Sequence, residues 1–174
     1  MSKFLFLLFF AIAAFGYDEL LLDAQSSVLP KIALLDKGIS NKLILGKIVI
    51  VIAHTPEDSE IAKEVASKMM LNNQPKAGGY GFKVVMVEFS HLAKSDMSIL
   101  YILNGSDMNI KKAAFFARQK GVISFVYDKA DLSNGAILSM SIERSAIIML
   151  KKSAMRDAGV QFADSFYKIV RVVE

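Results

Sequence analysis

Lys47-Ile48-Val49-Ile50-Val51-Ile52-Ala53, running straight into His54-Thr55-Pro56-Glu57-Asp58, decides the fold. The first part is apolar and β-branched with no alternating polar residues. That pattern fits a strand buried on both faces, as in a parallel sheet covered by helices. The second part reads as a helix start, with Thr55 at the N-cap, Pro56 in the first helical position and two acids behind it. Ile61, Ala62, Val65, Ala66, Met69 and Met70 then recur at three- and four-residue steps, which is one face of a helix. A buried strand feeding an amphipathic helix is the unit of an α/β layer architecture.

The same alternation extends in both directions. Upstream, Leu20, Leu21, Ala24, Val28, Ile32 and Leu35 give Tyr17–Lys37 a helical period. Pro30 should kink or split that helix, because proline lacks the N–H and clashes with the preceding turn. Downstream, Asn72–Gly81 has turn composition. Strands are expected at Phe82–Phe89, Ser98–Leu103, Val122–Tyr127, Ala136–Ile142 and Ala146–Leu150. Helices are expected at Ile110–Lys120, Lys152–Ala158 and Asp164–Val173. Only Glu143-Arg144-Ser145 separates the fifth and sixth strands, so they should pair as an antiparallel hairpin. The expected fold is a single α/β domain with an open, mixed, mostly parallel sheet, helices on both faces and a C-terminal β-hairpin plus helix.

Composition narrows the function classes. The chain has 174 residues, no cysteine and a net charge of +4. Lys and Arg are scattered, in pairs at most (Lys111-Lys112, Lys151-Lys152), whereas nucleic-acid binding needs a clustered basic face. Thiol catalysis, thiolate metal sites and disulfides are excluded. Residues 1–16 have the form of a secretory signal peptide. Lys3 is the positive n-region, Phe4–Ala14 an apolar run too short to span a bilayer, and Ala14-Phe15-Gly16 a cleavage site. The mature chain, residues 17–174, is expected to begin near Tyr17 and to work in a bacterial periplasm.

In open α/β sheets, ligands bind beyond the carboxyl ends of the parallel strands. Those ends carry His54, Thr55, His91, Asn104, Ser106 and Asp128, a polar rim that includes both histidines of the chain. Two histidines and an aspartate have the chemistry for metal binding or proton transfer. Strand-end loops are polar in every such fold, however, so the six residues define a candidate ligand rim without assigned catalytic, metal or cofactor roles. Gly78-Gly79-Tyr80-Gly81 precedes a strand and is no dinucleotide fingerprint. Glu57, Asp58 and Asp107 at the helix starts already occupy the positive end of each helix dipole. No nucleophile elbow, P-loop or HExxH motif is present. Phe115 and Phe116 are adjacent on one helix, so one must face away from the side the other buries. With Tyr167, Lys168 and Arg171 on the last expected helix, they form a candidate partner surface.

The run Gly135-Ala136-Ile137-Leu138-Ser139-Met140-Ser141-Ile142, followed by Ala146–Leu150, Ala154-Met155-Arg156-Asp157-Ala158-Gly159-Val160 and Phe162–Val173, resembles the end of YfiR-like proteins. Leu29-Pro30-Lys31-Ile32-Ala33-Leu34-Leu35-Asp36 before the KIVIVIA strand is similar to one branch of that family. Leu150-Lys151 stand where family members often carry an Asn, and the stabilising cysteines of many members have no counterpart. The resemblance implies a periplasmic α/β domain that is not an enzyme and needs no cofactor. It implies regulation of a membrane-bound diguanylate cyclase or sensor kinase by contact with that protein's periplasmic part. Gating by a small ligand, self-association as a homo-oligomer, and a small-molecule binding domain without a membrane partner remain open beside it.

Overall fold

The computed structural model describes residues 16–72 and 79–174. Residues 1–15, which hold nearly all of the expected leader, and residues 73–78 of the expected loop lie outside the described residues. No described helix is long and apolar enough to cross a membrane.

Seven strands form one sheet in the order β2-β1-β3-β4-β5-β6-β7 among the described residues. They are β1 (Lys47–His54), β2 (Gly81–Glu88), β3 (Ile99–Ile102), β4 (Ile123–Val126), β5 (Leu138–Ile142), β6 (Ala146–Lys151) and β7 (Val170–Val173). β1 pairs parallel with β2 on one side and β3 on the other, so Ile50 faces both Val84 and Ile99. β3, β4 and β5 continue the parallel set, β6 returns antiparallel to β5, and β7 runs parallel to β6. The unbroken apolar reading of β1 is explained by this central place: every residue after Lys47 is buried.

The two faces of the sheet carry separate cores. Ile48, Ile50, Ile52, Tyr101 and Phe125 pack against α1 (Glu19–Ala33) and α2 (Ser59–Asn72). Val49, Val51, Leu100 and Val126 pack against α3 (Asp107–Gln119) and against the 3-10 segments Phe89–Lys94 and Lys129–Asn134. A short fourth helix, α4 (Lys152–Asp157), follows the hairpin and joins the first core through Ala154 and Met155. Helices on both faces and a hairpin plus helix near the C-terminus match the sequence expectation.

Three local expectations are corrected. Pro30 does not split the first helix: α1 runs through it to Ala33, and Leu34 caps it. Proline in the last turn removes one hydrogen bond, and here its ring is buried in the core, which offsets that loss. The segment Asp164–Val173 is not a helix. It makes a 3-10 turn at Phe166–Lys168 and then the edge strand β7, in which valines alternate about Arg171. Thr55 is the N-cap residue and Pro56 opens the helical turn as expected, but that turn is a 3-10 segment, Pro56–Asp58, with no capping bond from the Thr55 side chain, and α2 begins only at Ser59.

Candidate functional site

The strand order reverses direction at β1. From β1 the chain moves to β2 on one side, then crosses back to β3 on the other, so the switch point lies between β1 and β3. The carboxyl ends of β2, β1, β3 and β4 are neighbours and parallel there.

The crevice at the switch point is filled by the chain itself. The Tyr17 hydroxyl donates to Asp58 Oδ2 at 2.8 Å and accepts from the Asn104 backbone N–H at 3.0 Å, bridging the segments that follow β1 and β3. Its ring lies 4.8 Å from that of Tyr127 at the end of β4. The Tyr127 hydroxyl accepts from the Asp18 N–H at 2.7 Å. Beneath them Gln25 donates to the carbonyls of Tyr127 and Met140 and accepts from the Tyr101 hydroxyl. Burial, reinforced by the Asp58 carboxylate, pushes the Tyr17 phenol well above its ordinary pKa. Burial does the same to Tyr101 and Tyr127. These hydroxyls stay neutral and serve as hydrogen-bonding struts. From the other face the Phe89 ring closes on Gly105, where an added Cβ would lie 3.0 Å from Phe89 Cε2.

Open space begins one strand further out, beside β1 and β2. A cleft of about 570 Å³ is lined by Phe89, Phe115 and Phe116, with Glu88, Asn109 and Lys112 among its polar groups. A second cleft of about 620 Å³ is lined by Ser59, Lys63, His91 and Lys94, and its wall toward the first is made by His54 and Glu88. His54 lies at the end of β1, only 6% exposed, with Nδ1 2.7 Å from the Thr55 carbonyl. A carbonyl only accepts, so Nδ1 carries the proton and Nε2 is left for other partners. The Thr55 hydroxyl is engaged with the Glu57 carboxylate, whose pKa is lowered by its own backbone N–H and by that hydroxyl. Among the described residues Lys112, Lys94 and Glu88 make no ion pair, and Lys63 is held by Glu60 at 2.6 Å. Unpartnered charges around an apolar hollow are what a binding cleft offers a polar ligand or partner.

The sequence-predicted residues therefore divide. His54 lines both clefts, Thr55 lines the first, and His91 lines the second. Asn104 belongs to the sealed crevice through its backbone. Ser106 caps α3 by accepting from the Asn109 N–H, and Asp128 accepts from the Ala130 N–H. These three are structural residues at the strand ends and line neither cleft. Of the partner-surface residues, Phe115 (42% exposed) and half-buried Phe116 wall the first cleft, 6.0 Å between ring centroids. Tyr167 contacts Met155 Sδ, and Arg171 reaches Glu143 at 3.7 Å. Tyr167, Lys168 and Arg171 lie at or beside β7, the sheet edge opposite β2, so the two halves of that set do not share a surface. Glu88, Phe89, Asn109 and Lys112 were not singled out from sequence. Glu88 ends β2 and Phe89 follows it, a position that itself marks a strand-end site. Among the described residues no three His, Asp or Glu side chains converge as a metal site.

No family model matches the chain, and no curated protein resembles it in sequence. Solved structures do share the fold. A conserved domain protein from Vibrio cholerae superposes with a TM-score of 0.60 at 12% identity, over 88% of this chain and 60% of that one. The ABC domain in complex with L-Trp from Streptococcus pneumoniae gives 0.53 at 9% identity, over 82% of this chain and 62% of that one. The chain thus spans somewhat less than two thirds of the length of either, and the likeness is one of α/β fold.

Proposed function

We propose that this chain is a regulatory binding module that works in the periplasm by contacting the periplasmic part of a membrane-bound signalling protein, a diguanylate cyclase or a sensor kinase. The observation that carries the reading is the cleft of Phe89, Phe115 and Phe116, with Glu88 and Lys112 on its walls and in no ion pair among the described residues. An apolar hollow favours association, and charges at its rim that complement a partner's fix the orientation. The YfiR-like pattern of the C-terminal third supports the choice of partner. Regulation then means that the module's affinity for its partner differs between two states, occupied and empty.

A second reading, a small-molecule binding domain without a membrane partner, is favoured by the size of the clefts, which falls within the range of small-molecule sites. That a protein of similar fold carries L-Trp agrees with it.

The test is recovery of the C-terminally tagged mature chain from gently solubilised membranes. Co-purification of a cyclase or kinase is the expected result. Recovery of the chain alone would overturn the regulatory reading in favour of the second.

A further inference from the structure

We infer that the two clefts form one bipartite site for a nucleoside monophosphate, the base in the phenylalanine cleft and the phosphate in the basic one. This rests on the reading of these clefts as the functional site and adds the ligand that would set its state.

The two clefts differ in chemistry and share a wall. Phe89, Phe116 and the Phe115 ring, which Arg118 covers on one face at 5.4 Å, offer flat apolar surface, and every nucleobase has a π-face that stacks on aromatic rings. The Asn109 side chain and Lys112 stand on the same cleft as hydrogen-bond donors for a base edge. The adjoining cleft carries two lysines and a histidine against one carboxylate: Lys94, His91 and Lys63, the last already held by Glu60, line it with Glu88 and the hydroxyls of Ser59 and Ser95. Lys94 has no ion pair among the described residues, and His91 Nδ1 lies 3.2 Å from Ser90 Oγ. Glu57 and Asp58, the acids that would repel an anion at the start of α2, line neither cleft, being turned to Thr55 and Tyr17.

One carboxylate, Glu88, lines both clefts. It ends the strand next to β1, the place from which an acidic side chain in α/β nucleotide sites accepts from ribose hydroxyls. In this arrangement it sits between base and phosphate, where the sugar must lie. An aromatic carboxylate would be satisfied by the first cleft with Lys112 and would leave the basic cleft without an occupant. Inorganic phosphate would leave the phenylalanines uncovered. A nucleotide accounts for both clefts and for the carboxylate between them.

The experiment is calorimetric titration of the mature chain with adenosine and guanosine 5′-monophosphates, with adenosine and inorganic phosphate as partial ligands. Phe115→Ala and Lys94→Ala are made alongside, and unfolding curves check that both are folded. Expected is binding of at least one monophosphate, weakened roughly tenfold or more by each variant. Adenosine should be weakened by Phe115→Ala alone, and inorganic phosphate by Lys94→Ala alone. Absence of binding of both monophosphates at about 1 mM, a weak-ligand ceiling, would overturn the inference. So would binding that only one variant, or neither, disturbs. Membrane-partner capture is scored separately: if it persists while nucleotides fail to bind, the ligand assignment falls and the regulatory reading stands.

Discussion

The switch-point crevice and the phenylalanine cleft are neighbours at the same end of the same sheet, yet they are built in opposite ways. In the crevice every phenol and the Gln25 amide is hydrogen-bonded within the chain, and the Tyr17 and Tyr127 rings close on each other. In the cleft three phenylalanine rings surround a hollow, and Glu88 and Lys112 have no ion-pair partner among the described residues. Buried polar groups are costly unless satisfied, so the crevice reads as structure, settled when the chain folds. The cleft leaves its interactions to be completed by something else. The place where folds of this kind hold ligands is filled here by the chain itself, and the open clefts lie outward toward β2.

If that contrast is right, changes in the crevice act on stability and changes in the cleft act on binding. The largest effect is expected from Gln25→Ala. It removes a buried side chain and takes a hydrogen-bond partner from the Tyr101 hydroxyl and from two carbonyls, for a loss of about 3 kcal/mol in urea unfolding. A loss below about 0.5 kcal/mol, the usual surface range, would break the comparison. Tyr17→Phe keeps the ring on Tyr127 but removes both phenol hydrogen bonds, and about 1 kcal/mol is expected.

The same crevice predicts alkaline sensitivity. Tyr17, Tyr101 and Tyr127 have folded pKa values raised above the ordinary 10.0. The unfolded chain therefore releases protons that the folded chain keeps, and stability present below about pH 10 falls as pH rises beyond it. Unfolding midpoints followed from pH 8 to pH 11 should decline, and decline less in Tyr17→Phe.

Gly105→Ala joins the two regions. Its new Cβ would stand 3.0 and 3.1 Å from Phe89 Cε2 and Cζ, so that ring, which lines the cleft, must give by a few tenths of an ångström. A stability cost of about 1 kcal/mol and weakened binding are expected together. The smallest stability effect belongs to Phe115→Ala, within about 0.5 kcal/mol because the ring is 42% exposed. Its unfolding curve should overlay that of the unaltered chain while binding is lost.

The architecture was legible where a residue's neighbours in sequence determine its environment. The β-branched run of β1 announced burial on both faces, and Glu143-Arg144-Ser145 announced the hairpin. The C-terminal segment misled because Phe162, Phe166, Ile169 and Val170 repeat at helical spacing. Phe162 and Phe166 instead stack at 4.1 Å across a non-helical turn, and Val170–Val173 pair with β6. The site was half legible. Strand-end position found His54, Thr55 and His91, and adjacency of two aromatics found Phe115 and Phe116. Local sequence could not tell which strand ends were already satisfied: Tyr17 meets Asp58 and Asn104 across 41 and 87 residues. Glu88 and Lys112 carried no site signal in sequence, because a half-buried acid at a strand end and one lysine of a scattered pair form no pattern until the cleft around them is seen.

The most direct test of the contrast is membrane-partner capture by tagged chains carrying Phe115→Ala or Tyr17→Phe, normalised to folded protein. The account predicts that Phe115→Ala loses capture with its stability unchanged, while Tyr17→Phe loses stability and keeps capture. Full capture by Phe115→Ala, or loss of capture by folded Tyr17→Phe, would contradict it.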